Sequence, residues 1–541
     1  METLLDLFDE AVRTYGERNA LGIRNDDGSV EHWTYAELRR RSRLAAWRLR
    51  ALGLEPGDRI LTWSPSTPAL PATYFGAMAA RLIIVPLDLR MSSDAIEGIV
   101  RKAGPKYLVI GTGRDAPDPS SADLDHFPTT TVDALCAEPD GTFPPDWEAQ
   151  VEGWQRPTPD EVWELVFTSG TTGTPKGVIL AHDNVRAGIA TFHDIIPPLH
   201  HRIVSLMPLS HLLEQAIGLF YTLSVGADVL YVRTLKPRVL FEAFRDHRVT
   251  SMVVVPQVLD LFWSGIEREV ERRGRLRMFN LLRRIARRLP MGMRRFLFRS
   301  IHAQLGGNFR LFVSLGAFLP PAVQQAWEDI GVIVMQGYGA TETLSGTATT
   351  LDDHGLGTVG RPTNGIDMRL AEDGEVQFRG PTLFKGYWDE PELTAASFTE
   401  DGWYKTGDVG HLDEAGRLIL SGRKKNMIVL PNGFNVYPED IENALRVAGI
   451  RESVVVETAP GRIEAIVVPA DPTEEPAAAQ ARIAAAVKAA NARLGPNQRV
   501  AGWRIWHGDD FPRTHTRKVK RDEVRKWAVI EAPPVQVTER S

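Results

Sequence analysis

Short apolar runs rich in β-branched residues recur along the first half of the chain: "RILTWS", "LIIVPL", "KYLVIG", "ELVFTS", "RIVSLMPL", "ADVLYV" and "SMVVVP". Helical spacing fills the intervals. Strands that read as nearly continuous apolar runs are those covered on both faces, so the alternation predicts an α/β fold of layered sheets with buried parallel strands. Between Gly111 and Asp160 the chain is rich in Pro, Asp and Thr and is expected to form long surface loops joining two such layers.

After Gly422 the pattern changes to a smaller set of elements, with strands near "ESVVVET", "RIEAIVVPA" and "GWRIWH". Between them lies an Ala-rich segment with Pro476 at its start, Ile483, Val487 and Leu494 on one face, and Gly495 past its end, the punctuation of a helix. The expected organisation is a large multi-subdomain N-terminal domain over 1–424 and a small mobile α+β domain over 425–541. No internal repeats are visible.

A chain of 541 residues exceeds what one core supports, which agrees with several subdomains. A net charge of −6 and a pI near 6.2 exclude a broadly basic nucleic-acid-binding domain. The single cysteine, Cys136, excludes an intrachain disulfide and any CxxC metal site and suits a reducing cytosol. The opening "METLLDLFDEAVRTYGERN" carries acids at helical spacing where a signal peptide would be basic and apolar. No run approaches the roughly 20 apolar residues of a membrane helix. The expectation is a cytoplasmic protein with at most peripheral contact at the inner membrane surface.

One segment stands apart. Arg268 to Arg299 holds twelve arginines among Leu, Ile, Met and Phe, with Glu269 and Glu271 its only acids. Two readings fit: a basic amphipathic helical hairpin that meets anionic lipid, or a solvated helix face paired with acids elsewhere.

Candidate chemistry concentrates in "FTSGTTGTPKGV", Phe167 to Val178. "ELVFTS" before it reads as a buried strand, and "NVRAGIATFHDII" after it has Val185, Ile189, Phe192 and Ile196 at helical spacing. Strand, glycine loop, helix presents backbone N–H groups to phosphate. P-loop spacing fails, because the second glycine would fall at Pro175 and Lys176 is followed by Gly177 rather than a hydroxyl residue. Thr168, Ser169, Thr171, Thr172 and Thr174 supply hydroxyls, Gly170, Gly173 and Gly177 permit close approach, and Lys176 supplies charge.

The whole string closely resembles the phosphate-binding signature of adenylate-forming enzymes: acyl- and aryl-CoA synthetases, peptide-synthetase adenylation domains and luciferases. Further signatures follow in family order. "QGYGATET" resembles the adenine and Mg²⁺ segment, with Gln336, Gly337 and Gly339 in the nucleotide site, Tyr338 stacked on the base, Thr341 at the α-phosphate and Glu342 on Mg²⁺. "FVSLGAFL" resembles the strand and turn that place Gly316 and Ala317 at the ring. In "YKTGDVG", Asp408 matches the carboxylate that accepts both ribose hydroxyls, and Arg423 in "GRKKNMIV" matches the ribose-contacting arginine. "PRTHTRKVKR" places Lys518 at the adenylation lysine, with Arg517 where the family usually has glycine. Lys425 occupies the hinge, where many relatives carry Asp; with its "RKKN" context it resembles the long-chain fatty acyl-CoA synthetase branch.

The resemblance implies that a fatty carboxylate, medium- to long-chain, attacks the α-phosphorus of ATP and that coenzyme A then takes the acyl group. Lys518 would bridge the two anions, and rotation about Lys425 would bring a face near Gly433 to the pantetheine tunnel. His211 in "PLSHLLEQ" falls where relatives place a residue beside the substrate carboxylate, though a structural histidine fits equally; Glu214 is a weaker candidate. A carrier protein as the acceptor in place of coenzyme A, and a non-catalytic lipid-associated scaffold, stand as alternatives.

Overall fold

The structure is a computed structural model that describes residues 2–169, 175–197, 199–234, 236–432, 434–469, 474–514, 518–530 and 536–537. It divides into two compact units, residues 1–368 with 378–404, and residues 369–377 with 405–541.

In the first unit, strands Arg202–Ser205, Asp228–Tyr231, Ser251–Val254, Leu311–Ser314 and Ile333–Tyr338 form the parallel heart of a nine-stranded sheet. Successive side chains take opposite faces. Val204, Leu230, Met252, Val254, Phe312 and Val334 pack on one face, and Val229, Tyr231, Val253, Leu311, Val313 and Met335 on the other. A six-stranded sheet is built likewise around Arg59–Trp63, Ile83–Pro86, Tyr107–Ile110 and Val162–Ser169. The inner faces of both sheets share one core with the helix Ala69–Ala79, which is largely apolar all round and buried from Ala69 to Met78, as suits a helix between two sheets. The predicted layered α/β class is the observed one.

Two expectations change. The stretch 111–160 is more than loop: it contains strand Thr129–Thr131 and helices Val132–Cys136 and Trp147–Glu152. Its Leu124, Val132, Leu135, Cys136, Trp147 and Val151 are buried, and burial pushes the Cys136 thiol up to about 12. Nor does the glycine-rich segment lead straight into a helix. Pro175–Ala181 is a strand paired antiparallel with Val162–Ser169, and the helix His182–Ile195 begins only afterwards. Val178 and Leu180 on this second strand are fully buried, so its apolar side chains belong to the sheet core.

In the second unit, Glu452–Ala459, Arg462–Val468 and Gly502–Ile505 form a mixed sheet at the predicted positions. Val455, Ile463, Ala465 and Val467 face Ile483 and Val487 of helix Pro476–Asn491, while Val454, Val456, Ile466 and Val468 face Val524 and Trp527 of helix Arg521–Ile530. Two-sided burial of so short a sheet gives the predicted α+β unit its own core. No described helix is long and apolar enough to cross a membrane.

Candidate active site

Two hairpins build the site of the first unit. The first is Val162–Ser169 with Pro175–Ala181, in which Thr168 lies opposite Lys176 and Ser169 opposite Pro175. Its tip, with Gly170, Thr171, Thr172, Gly173 and Thr174, lies outside the described residues, as do Arg517 and Gly433. Gly177 is closely packed, since a Cβ there would meet the Phe167 ring and Trp388 at 3.0 and 3.1 Å.

The second hairpin leaves on Ile333–Tyr338 and returns on Thr347–Ala348, with Tyr338 opposite Thr347. At its tip the chain coils into a tight turn, in which Thr343 Oγ1 accepts from the Ala340 N–H at 2.8 Å and the Leu344 N–H reaches the Ala340 carbonyl at 2.9 Å. Leu344 holds the left-handed backbone at φ 54° and packs where Gly188 has no side chain. This turn presents Thr341 and Glu342, both half-buried. Gly316, with φ 85°, turns the chain after Leu311–Ser314 and sets Ala317 beyond the strand end.

Residues 384–388 stitch the hairpins together. The Ile179 N–H donates to Gly386, those of Lys385 and Trp388 donate to Ile179 and Gly177, and that of Phe384 donates to the Glu342 carbonyl. Side chains follow: the Tyr387 hydroxyl donates to Glu342 Oε1 at 2.9 Å, and Lys176 Nζ stands 5.4 Å from the centre of the same ring. Burial, reinforced by the Glu342 charge, raises the phenols of Tyr387 and Tyr404 well above their ordinary value. Both therefore stay neutral donors. Among the described residues no lysine or arginine lies within ion-pair distance of Glu342. The sequence reading missed Tyr387 and Tyr404, whose only signal is an aromatic cluster in "FKGYW" and "WYKTGD".

Beside the second hairpin a small pocket of about 20 Å³ is lined by apolar Phe192, Ile196, Ile217, Val313 and Met335 and by polar Gln336, Ser345, Thr347 and Thr349, with Gly337 and Tyr338 on its wall. Gln336 is largely buried; its amide donates to Gln324 Oε1 at 2.8 Å, which ties the strand to the helix Pro321–Asp329.

His211 Nε2 stands 3.0 Å from Oδ2 of buried Asp88. Burial raises Asp88, but hydrogen bonds from Arg90 and His211 outweigh it and hold this carboxyl well below the usual range. Glu214 opens a π-helix, Glu214–Tyr221, and is fully buried; burial pushes it up to about 7 against a 2.6 Å bond from Ser205.

In the second unit the strands pair Asp408 directly across from Arg423, with Arg423 Nε 2.9 Å from Asp408 Oδ1. Gly407, at φ 70° within strand Tyr404–Leu412, donates its N–H to Glu375 at 2.9 Å. Lys425 sits in a single 3₁₀ turn, Lys424–Asn426, where burial and Arg423 lower its ammonium pKa. Lys518 is exposed and closes a short hairpin, its carbonyl accepting from the Thr514 N–H at 2.8 Å.

The model of a family described as AMP-binding enzyme matches residues 8–388, and that of the AMP-binding enzyme C-terminal domain matches 425–527. The chain is 29% identical over 465 residues to a long-chain-fatty-acid–CoA ligase, FadD15, of Mycobacterium bovis, covering 80% of this chain and 76% of that one. It is 30% identical to long chain acyl-CoA synthetase 1 of Arabidopsis thaliana, covering 82% and 74%. Its fold is similar to that of o-succinylbenzoate CoA synthetase of Bacillus subtilis, with a TM-score of 0.75, 20% identity, and coverage of 98% and 99%.

Proposed function

The chain belongs to the AMP-binding enzyme family, and from that premise we propose that it is an AMP-forming acid–thiol ligase acting on a medium- to long-chain fatty acid, ATP and coenzyme A. The observation that carries the reading is the meeting of Lys176, Tyr387 and Glu342 at two hairpin ends, with an apolar pocket beside the second. The lining of that pocket is mainly apolar, though Gln336, Ser345, Thr347 and Thr349 also line it. The relatives named for long-chain acids support the same class.

A free carboxylate is a poor acyl donor because its leaving group would be oxide. Its attack on the α-phosphorus forms a C–O–P link and expels pyrophosphate; a thiol then forms the thioester while AMP leaves and the thiol proton is released. Two anions must approach in the first step, so charge has to be neutralised where they meet. Lys176 and the hairpin at Thr168 are assigned to the outer phosphates, and Thr341 to the α-phosphate. Glu342 fits Mg²⁺, which usually takes one or two carboxylates with phosphate oxygens and would supply cationic charge there. Asp408, with Arg423, is assigned to the ribose hydroxyls and Lys518 to the reacting carboxylate and phosphate, both by family match. Lys425 is assigned the hinge on which the 425–541 domain turns between half-reactions. Peripheral contact with the inner membrane surface fits the same reading, since such acids dissolve in bilayers.

A panel of acids from acetate to oleate, assayed for pyrophosphate release with and without coenzyme A, tests the class. AMP release independent of coenzyme A would favour the carrier-protein acceptor, and no acid-dependent exchange of pyrophosphate would favour a scaffold. Lys518→Ala should lower adenylation by about 10²- to 10³-fold or more and leave thioester formation from pre-made acyl-adenylate intact. Equal loss of both steps would remove Lys518 from its assigned role.

A further inference from the structure

The arginine-rich insert sorts its side chains by face. It consists of helices Pro256–Arg272, Leu276–Ala286, Met291–Leu297 and Arg299–Gln304. On the inner face Arg283 and Arg287 pair with fully buried Asp329, Arg294 donates to the Glu328 carbonyl at 2.9 Å, and Arg295 donates to that of Phe309 at 2.7 Å. These arginines fasten the insert to the nine-stranded sheet unit, so half of the sequence pattern is explained by acids and carbonyls of the fold itself.

The outer face has no such explanation. Met278, Leu281 and Ile285, at i, i+3 and i+7, are 58%, 51% and 49% exposed, and Met293 and Phe296 on the next helix are 55% and 71% exposed. Arg277, Arg284 and Arg288 line the edge of the same stripe, one and two turns apart; they are exposed and make no ion pair among the described residues. The Arg299 guanidinium lies 5.2 Å from the Phe296 ring. From 276 to 299 the sequence contains no Asp or Glu. Large apolar side chains exposed together mark an interaction site, and their pairing with uncompensated cations selects its chemistry. A helix with an apolar face and an arginine edge lies in the plane of a lipid interface, its apolar side chains in the acyl boundary and its guanidinium groups at phosphate level.

We propose that the outer face of Leu276–Ala286 and Met291–Leu297 docks this protein on an anionic phospholipid surface. Charge decides for lipid over a second copy of the chain, since two such faces would bring like charges together. The proposal does not rest on the ligase reading.

The test uses the full chain, without substrates, and cosedimentation with phosphatidylcholine vesicles with or without phosphatidylglycerol. The wild type should bind the anionic vesicles, be released by raised salt, and ignore neutral ones. Arg277→Gln/Arg284→Gln/Arg288→Gln should weaken partition by roughly 100-fold, at about fivefold per basic residue near the surface. Leu281→Gln/Ile285→Gln/Phe296→Ser should weaken it by at least about tenfold while leaving the salt response. Unchanged thermal midpoints would show both variants folded. Anionic-vesicle binding untouched by either variant, wild-type binding insensitive to salt, equal binding to neutral vesicles, or a stable dimer split by the apolar variant would each overturn the proposal.

Discussion

Glu342 and Asp408 are both carboxylates at candidate nucleotide positions, yet their surroundings are opposite. Glu342 is held by a neutral phenol, and no lysine or arginine among the described residues lies within ion-pair distance of it. Asp408 faces Arg423 at 2.9 Å, so its charge is largely answered within its own strand pair. A carboxylate in a half-buried turn without a paired guanidinium or ammonium attracts a cation; one paired with an arginine is left with acceptor capacity for neutral hydroxyls. The difference supports a metal at the first and a sugar at the second, without appeal to motif.

Glu342→Gln breaks the comparison at its charged end. It keeps an acceptor for Tyr387 and deletes the charge, so pyrophosphate exchange should fall by about 10²- to 10³-fold, chiefly in kcat, and need more Mg²⁺. A loss confined to the KM for ATP would make Glu342 a simple hydrogen-bonding group. Asp408→Asn tests the other end. Losing a charge-assisted acceptor costs about 1.5–3 kcal/mol, so the KM for ATP should rise roughly 10- to 100-fold with kcat little changed. Should Asp408→Asn instead abolish turnover and its metal dependence, the two roles would have to be exchanged.

These side chains differed in how readily they could be read from the sequence. Layer order and strand positions followed from apolar runs, because burial on both faces leaves so little freedom of residue type. Glu342, Asp408 and Arg423 were named from local strings. Tyr387 is not, because its contact with Glu342 lies 45 positions away and depends on the pairing of residues 384–388 with Glu342 and with 177–179. The Asp88–His211 contact is also long-range in sequence and has no periodic signal. The first half of the strand Pro175–Ala181 reads as part of the glycine loop, because its proline beside Gly173 and Thr174 masks a short run that only its partner strand defines.

Glu214 sharpens the contrast with the smallest effect. It was a weak site candidate, but it is buried, accepts from Ser205, and its carboxyl occupies the space a side chain at Gly218 would need. Burial pushes it up to about 7, above its value of 4.5 when unfolded. A raised folded pKa means that the neutral form is favoured in the folded chain. Its contribution to stability is thus full below about pH 4.5 and is lost as pH rises through about 7, by a sum on the order of 3 kcal/mol. Glu214→Gln cannot ionise. Its extra N–H₂ costs about 1–3 kcal/mol if unpaired, but that cost does not vary with pH. The wild-type advantage in Tm should therefore shrink steadily from pH 5 to pH 8, while the same slope from Glu164, which is raised to about 8, cancels between the two proteins. A constant difference would mean that Glu214 is ionised in the folded chain, which would return it to the company of Glu342 as a carboxylate available to a cation.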